Sequence, residues 1–140
     1  MTDTTIDTLE MTFPCKPEFV GVARLVMLGV ASRMKFSFDD VEDIKLAVAE
    51  ACTVAVDWAE KNKKNNSNIE LKTITDDDKI IIEINDNSGP RNEPNENDTI
   101  NEEDLGSLLI GILMDEVDVK SNDNGTNVRM VKYVGKSESE

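Results

Sequence analysis

Hydrophobic and polar positions change period several times along this 140-residue chain, and each change marks an element. Ile6, Leu9, Met11 and Phe13 fall in an extended opening segment that stops at Pro14, which reads as a first strand. Pro17 can then open a helix, because the N–H that proline lacks is one that a first helical turn leaves unbonded. From Glu18 to about Met34 the chain is rich in Val, Leu, Ala and Met, and Arg24 and Arg33 are the only charges after Glu18. A helix that is apolar on more than one side needs cover from its own sheet and from something else, a second copy or a partner. Ser37 is an N-cap candidate for the next helix, and Asp39 and Asp40 suit its positive end. That helix runs to about Asn62. At about 100° per residue, Val41, Ile44, Val48, Ala51, Ala55 and Trp58 share one stripe, while Asp43, Ala47, Glu50, Val54 and Asp57 line its flank. Glu50 therefore stands at the edge of the core.

After the polar connector KNKKNNSN, Ile69, Leu71 and Ile74 nearly alternate, and Ile80, Ile82 and Ile84 alternate strictly. With the acidic turn Asp76-Asp77-Asp78 between them they form an antiparallel hairpin. Residues 87–103 hold two prolines, five asparagines and almost nothing apolar, the composition of a mobile loop. Leu105, Leu108, Leu109, Ile112 and Leu113 follow the spacing of a short amphipathic helix. Val117 and Val119 begin a strand, Asp123-Asn124-Gly125 turns through its Asn-Gly pair, and Val128, Met130 and Tyr133 return. The order is that of an α+β fold in two layers, an antiparallel or mixed sheet with helices on one face. A single domain is expected over residues 1–136, with a solvated acidic tail at 137–140.

Composition narrows the function. Lys and Arg number 15 against 29 Asp and Glu, a net charge of −14. Nucleic-acid binding relies on a basic footprint, so the partner is expected to be a protein and not DNA or RNA. Cys15 and Cys52 offer neither a disulfide framework nor metal-ligand spacing. The polar, acidic start MTDTTIDTLEM does not resemble a signal peptide, and no apolar run approaches the roughly 18 residues of a membrane span. A soluble protein of a reducing cytoplasm is expected.

Three stretches in order, VEDIKLAVAEACTVAVDWA, IIIEINDNSG and DLGSLLIGILMDEVDVKSNDNGTNVRMVKYV, carry a resemblance over nearly the whole chain. They resemble the Glu-x-x-x-Asn box, the Asp-x-Gly box and the Gly-rich box with its following hairpin in bacterial anti-sigma factors, with EMTFPCKPEFVGVARLVMLGVASRM adding to the match at the front. These are serine-protein kinases on the ATPase (Bergerat) fold shared with histidine kinases, and the match is closest to the general-stress, sigma-B type. The resemblance implies a homodimer that holds a sigma factor away from RNA polymerase and, with ATP and Mg²⁺, phosphorylates an anti-anti-sigma protein. That chemistry needs a carboxylate to take the serine proton, a metal to neutralise the triphosphate, and glycines that let backbone amides approach it.

Carried over residue by residue, Glu50 takes the catalytic position. Val54 replaces the asparagine that would bind Mg²⁺, which removes the metal ligand, and Trp58 replaces a histidine one turn on. Asp86 matches the acceptor for the adenine amino group, with Ser88 at the motif's first glycine and Gly89 beside it. In the Gly-rich box Gly106 survives and Ser107 follows, but Glu103 and Asp104 stand at glycine positions. Like charges at about 4 Å cost roughly 4 kcal/mol at an effective dielectric near 20, so these acids would repel a triphosphate. Arg91 is the only basic lid residue found, and Arg24 lies on the helix with which relatives contact their partners. Each residue also has a plain reading: Glu50 a flank carboxylate paired with lysine or solvated, Asp86 a strand-end turn residue, Gly106 a helix start, Cys52 a core filler and Arg24 a surface charge. The combined expectation is an anti-sigma factor with an intact scaffold and a degenerate kinase site. An active kinase with an altered metal site and a non-catalytic decoy are the alternatives.

Overall fold

Strict alternation of apolar residues builds the sheet. In the computed structural model, which describes residues 6–64, 66–90 and 102–135, the strands are β1 (Asp7–Pro14), β2 (Asn68–Thr75), β3 (Lys79–Asp86), β4 (Glu116–Ser121) and β5 (Thr126–Tyr133). They form one five-stranded sheet in the order β1-β2-β3-β5-β4, every neighbouring pair antiparallel. Along β3 the inward positions Ile80, Ile82 and Ile84 are buried, as their spacing requires. The register aligns Met11, Leu71, Ile84, Val128 and Val119 in one row across the inner face. On the outer face, Glu10, Lys72, Glu83, Arg129 and Asp118 align across all strands with charges of alternating sign. Opposite charges in facing positions support a sheet, and like charges would oppose it.

The helices cover the inner face. A single 3-10 turn, Pro17–Phe19, leads into α1 (Val20–Ala31), followed by α2 (Phe38–Lys61) and α3 (Glu102–Leu113). α1 is shorter than the apolar run from Glu18 to about Met34 suggested, because the chain turns at Ser32–Met34 through i→i+3 backbone bonds. It meets α2 through Ala23, Met27 and Ala31, each spaced by four residues and fully buried. Its other side leaves Val22, Leu25 and Leu28 exposed, Leu25 to 68%. Ser37 caps α2 as its position implied, its Oγ accepting the Asp40 N–H at 3.1 Å.

One strand position and one turn differ from the sequence reading. Ile74 does not continue the inward row of β2; Thr73 does, 2% exposed, and Ile74 faces Ile81 on the outer side. The β4–β5 connection is a four-residue loop, 122–125, and not an Asn-Gly turn with left-handed residues. Among the described residues positive φ occurs only at Lys63, Gly89 and Gly135. Instead the Asn122 side chain accepts the N–H groups of Asn124 and Gly125 at 2.8 and 3.1 Å. The loop expected at 87–103 is described at 87–90, and α3 already includes Glu102 and Glu103. Residues 91–101 and the acidic tail lie outside the described residues.

Neither Cys15 nor Cys52 is in a disulfide among the described residues, and both are buried in the core. Burial first, and the neighbouring Cys15 second, push the Cys52 thiol up to about 12. A raised folded-state pKa makes its contribution complete below the unfolded value of 9.0 and lost as pH climbs toward 12. Equilibrium denaturation should therefore lose stability between those limits, by a term of order 4 kcal/mol at most, and Cys52→Ala should flatten that alkaline loss. Neither thiol should react with Ellman's reagent until the chain unfolds.

Candidate functional site

Two clusters contain Glu50, Val54 and Gly106, and Asp86, Ser88 and Gly89, of the residues singled out in the sequence. The first lies where α3 crosses α2. Small residues along α2, Ala47, Ala51, Ala55 and Ala59, are 4% exposed or less and let neighbouring elements approach closely. Gly106, in α3, comes so near that a β-carbon there would lie 2.5 Å from Glu50 Oε2 and 3.1 Å from Val54 Cγ2. Glu50 is half-buried and Val54 buried. The carboxylate is thus covered by helix backbone on the side it shares with Val54. Among the described residues the ion pairs of α2 engage Glu42, Asp40 and Asp43 and not Glu50, which leaves the solvated-flank form of its plain reading in place.

The second cluster forms where β3 ends. Asp86, 8% exposed, and Ser88, 1% exposed, are joined directly. The Ser88 hydroxyl donates to Asp86 Oδ1 at 2.6 Å, and the Ser88 N–H donates to the same oxygen at 3.2 Å. A hydroxyl on a carboxylate makes a strong, charge-assisted bond. Gly125, from the β4–β5 loop, sits against Asp86; its β-carbon would collide with the Asp86 carbonyl oxygen. Only a residue without a side chain fits there. Gly89, at φ +87°, donates its N–H to Asn124 O at 3.0 Å, and Lys64 Cε would lie 3.6 Å from a β-carbon on it. The β3 exit is therefore held against the β4–β5 loop by backbone contacts.

The other expected residues are spread out. Ser107, Glu103 and Asp104 lie in α3, but the placement of their side chains is outside the described residues, and so is Arg91. Arg24 is exposed on α1 beside Leu25. Trp58 is half-buried, and its indole N–H is enclosed without an acceptor among the described residues. An open groove of about 890 Å³ lies at the opposite end of the strands from Asp86, lined by Leu9, Val26, Val30, Arg33, Met34 and Asp76 among others. Among the described residues there is no group of three or more acidic, histidine or cysteine side chains arranged to hold a metal, and no helix long and apolar enough to cross a membrane.

The family model of the histidine kinase-like ATPase domain matches residues 13–132. Proteins named serine-protein kinase RsbW align over almost the full chain: 40% identity over 91% of it and 86% of the Bacillus subtilis protein, and 38% over 96% of it and 91% of the Staphylococcus epidermidis protein. The chain belongs to the RsbW family of histidine kinase-like ATPases. Solved structures agree on the fold. The RsbU and RsbW domains of a Mycobacterium tuberculosis protein superpose with a TM-score of 0.69 at 15% identity, over 90% of this chain and 31% of that one. The histidine kinase domain of a blue-light activated kinase from Erythrobacter litoralis does so with 0.60 at 16% identity, over 90% of this chain and 64% of that one.

Within the RsbW fold, two features had no forecast. The first is the Ser88–Asp86 bond; a serine two residues after a strand-end aspartate signals such a turn. The second is the inward-facing Lys132, readable from the Val128, Met130, Lys132 alternation. Ser88→Ala should cost about 2 kcal/mol in chemical denaturation, because it takes a donor from a buried carboxylate. Gly106→Leu should cost about 1–3 kcal/mol by forcing Val54 aside. Gly106→Ala should be near neutral, since the Glu50 carboxylate can swing away and alanine gains about 1 kcal/mol of helix propensity.

Proposed function

We propose that this RsbW-family chain is an anti-sigma factor of the sigma-B, general-stress type that holds its sigma factor without help from nucleotide and is released by an anti-anti-sigma partner. The observation that carries the reading is the seam of Gly106 on Glu50 and Val54. A triphosphate with Mg²⁺ needs an oxygen ligand and open space beside the catalytic carboxylate, and here an aliphatic side chain and a helix backbone stand there. The residues present do not fit that group. At the β3 exit Asp86 Oδ1, on the carboxylate that would accept an adenine amine, already accepts two bonds from Ser88. Four departures, at Val54, Ser88, Glu103 and Asp104, fall in the nucleotide boxes, while the core pattern is complete.

Partner contacts are assigned to α1, where Arg24 stands beside the exposed Val22, Leu25 and Leu28. Uncovered apolar side chains of this size mark interaction surfaces. A homodimer is part of the reading, supported by the edge position of β1, where Leu9 is 42% exposed and Ile6, just before the strand, 65%. The cellular setting is the cytoplasm. The second reading, an active kinase, is favoured by one observation, the retained Glu50 at the α2–α3 crossing.

Calorimetry should show no binding of ATP or ADP at millimolar concentration, with or without Mg²⁺; a micromolar, Mg²⁺-dependent affinity would sink the reading. Val54→Asn alone should not restore it. Affinity purification from a host that encodes the cognate proteins should recover a sigma factor or an anti-anti-sigma protein, and Leu25→Asp should abolish that recovery while leaving the far-ultraviolet circular dichroism unchanged.

A further inference from the structure

Lys132 is a buried ammonium in an apolar fold. It faces inward from β5, in register with Ile80, and its side chain is 8% exposed. Its Nζ donates to Leu113 O at 2.7 Å. Leu113 is the last residue of α3, and a helix's final carbonyls have no partner within the helix. The same Nζ lies 3.9 Å from Asp40 Oδ1 and 3.8 Å from Asp43 Oδ2, carboxylates in the opening turns of α2 that are 4% and 39% exposed. One positive charge therefore joins the negative end of α3 to acids at the start of α2, from a strand of the sheet beneath. Two further bonds steady the exit of α3: Asp115 N–H to Val131 O at 2.9 Å, and Tyr133 N–H to Asp115 Oδ2 at 2.7 Å.

α3 runs antiparallel to α2, its Gly106 end on Glu50 and Val54 and its Leu113 end at Asp40 and Asp43. The glycine end offers only contact surface, without a charged anchor among the described residues. The lysine end, by contrast, holds a buried charge that requires partners.

We propose that Lys132 is the positioning residue for α3: it pins the helix to α2 and so keeps Gly106 over Glu50 by charges internal to the chain. The pin needs no bound ligand, and in this it rests on the nucleotide-independent reading above. It also names Asp40 and Asp43, and not Glu50, as the carboxylates of α2 that decide where α3 lies.

Hydrogen exchange read by mass spectrometry on the full chain tests this. In the Lys132→Met protein, which keeps the apolar stem, amides of residues 108–113 should exchange roughly 100-fold faster or more, while those of β2 and β3 keep their protection. A uniform rise through helix and sheet, or no change in α3, would overturn the proposal, since a generic core residue lowers stability everywhere. Should Lys132→Met fail to fold, Asp43→Asn decides, because that side chain is partly exposed and its loss is milder. A several-fold rise confined to α3 supports the pin, and a uniform or absent rise overturns it. Adding ATP with Mg²⁺ to the unaltered protein separates the two readings: slower exchange in α3 would refute nucleotide independence while leaving the Lys132 comparison to stand on its own result.

Discussion

The close packing of α2 is the constraint on which the rest of the structure depends. It lies over the sheet and between α1 and α3, and it can do so because alanines recur where its neighbours touch it: Ala47, Ala51, Ala55 and Ala59. α1 answers with its own small residues, Ala23 and Ala31, and α3 with Gly106. Interiors packed to crystal density leave no slack around such contacts. A helix placed this tightly brings its flank, and with it Glu50 and Val54, directly under whatever crosses it. What α3 does at that crossing decides whether the flank is a reaction site or a seam.

Among the described residues the buried polar side chains are joined to partners, with one exception. Asp86 is engaged by Ser88, and Lys132 by Leu113 O and two aspartates. Both pairs sit where regular structure ends, at the exit of a strand and of a helix, because those are the places that leave backbone groups unbonded. Buried donors and acceptors left alone are costly, and pairing them at element ends also fixes how elements meet. The exception is the Trp58 indole N–H, for which the described contacts offer no physical account.

Most of the architecture was legible along the chain. Ile80, Ile82 and Ile84 declared a strand and its buried side, Ser37 with Asp39 and Asp40 declared the start of α2, and the spacing from Leu105 to Leu113 declared α3. The motif resemblance pointed to the ATPase fold and to Glu50, and the RsbW relatives bear out the family. Legibility failed where local rules competed. The Asn-Gly pair suggested a two-residue turn, but Asn122 organises a longer loop, and Gly125 is there because the Asp86 carbonyl leaves no room for a side chain. Ile74 looked like part of an inward row, but the pleat gave that place to Thr73.

By itself the sequence determined the elements, the α+β class, most of the inward strand positions and the aliphatic character of position 54, since periodicity and residue chemistry are local properties. Only the tertiary structure decided what stands opposite what. That Gly106 lies on Glu50, that Ser88 satisfies Asp86, and that Lys132 reaches the ends of two helices all depend on how α3 and β5 dock onto α2. These contacts join residues far apart in the chain, and their geometry follows from packing, which no single stretch of sequence contains.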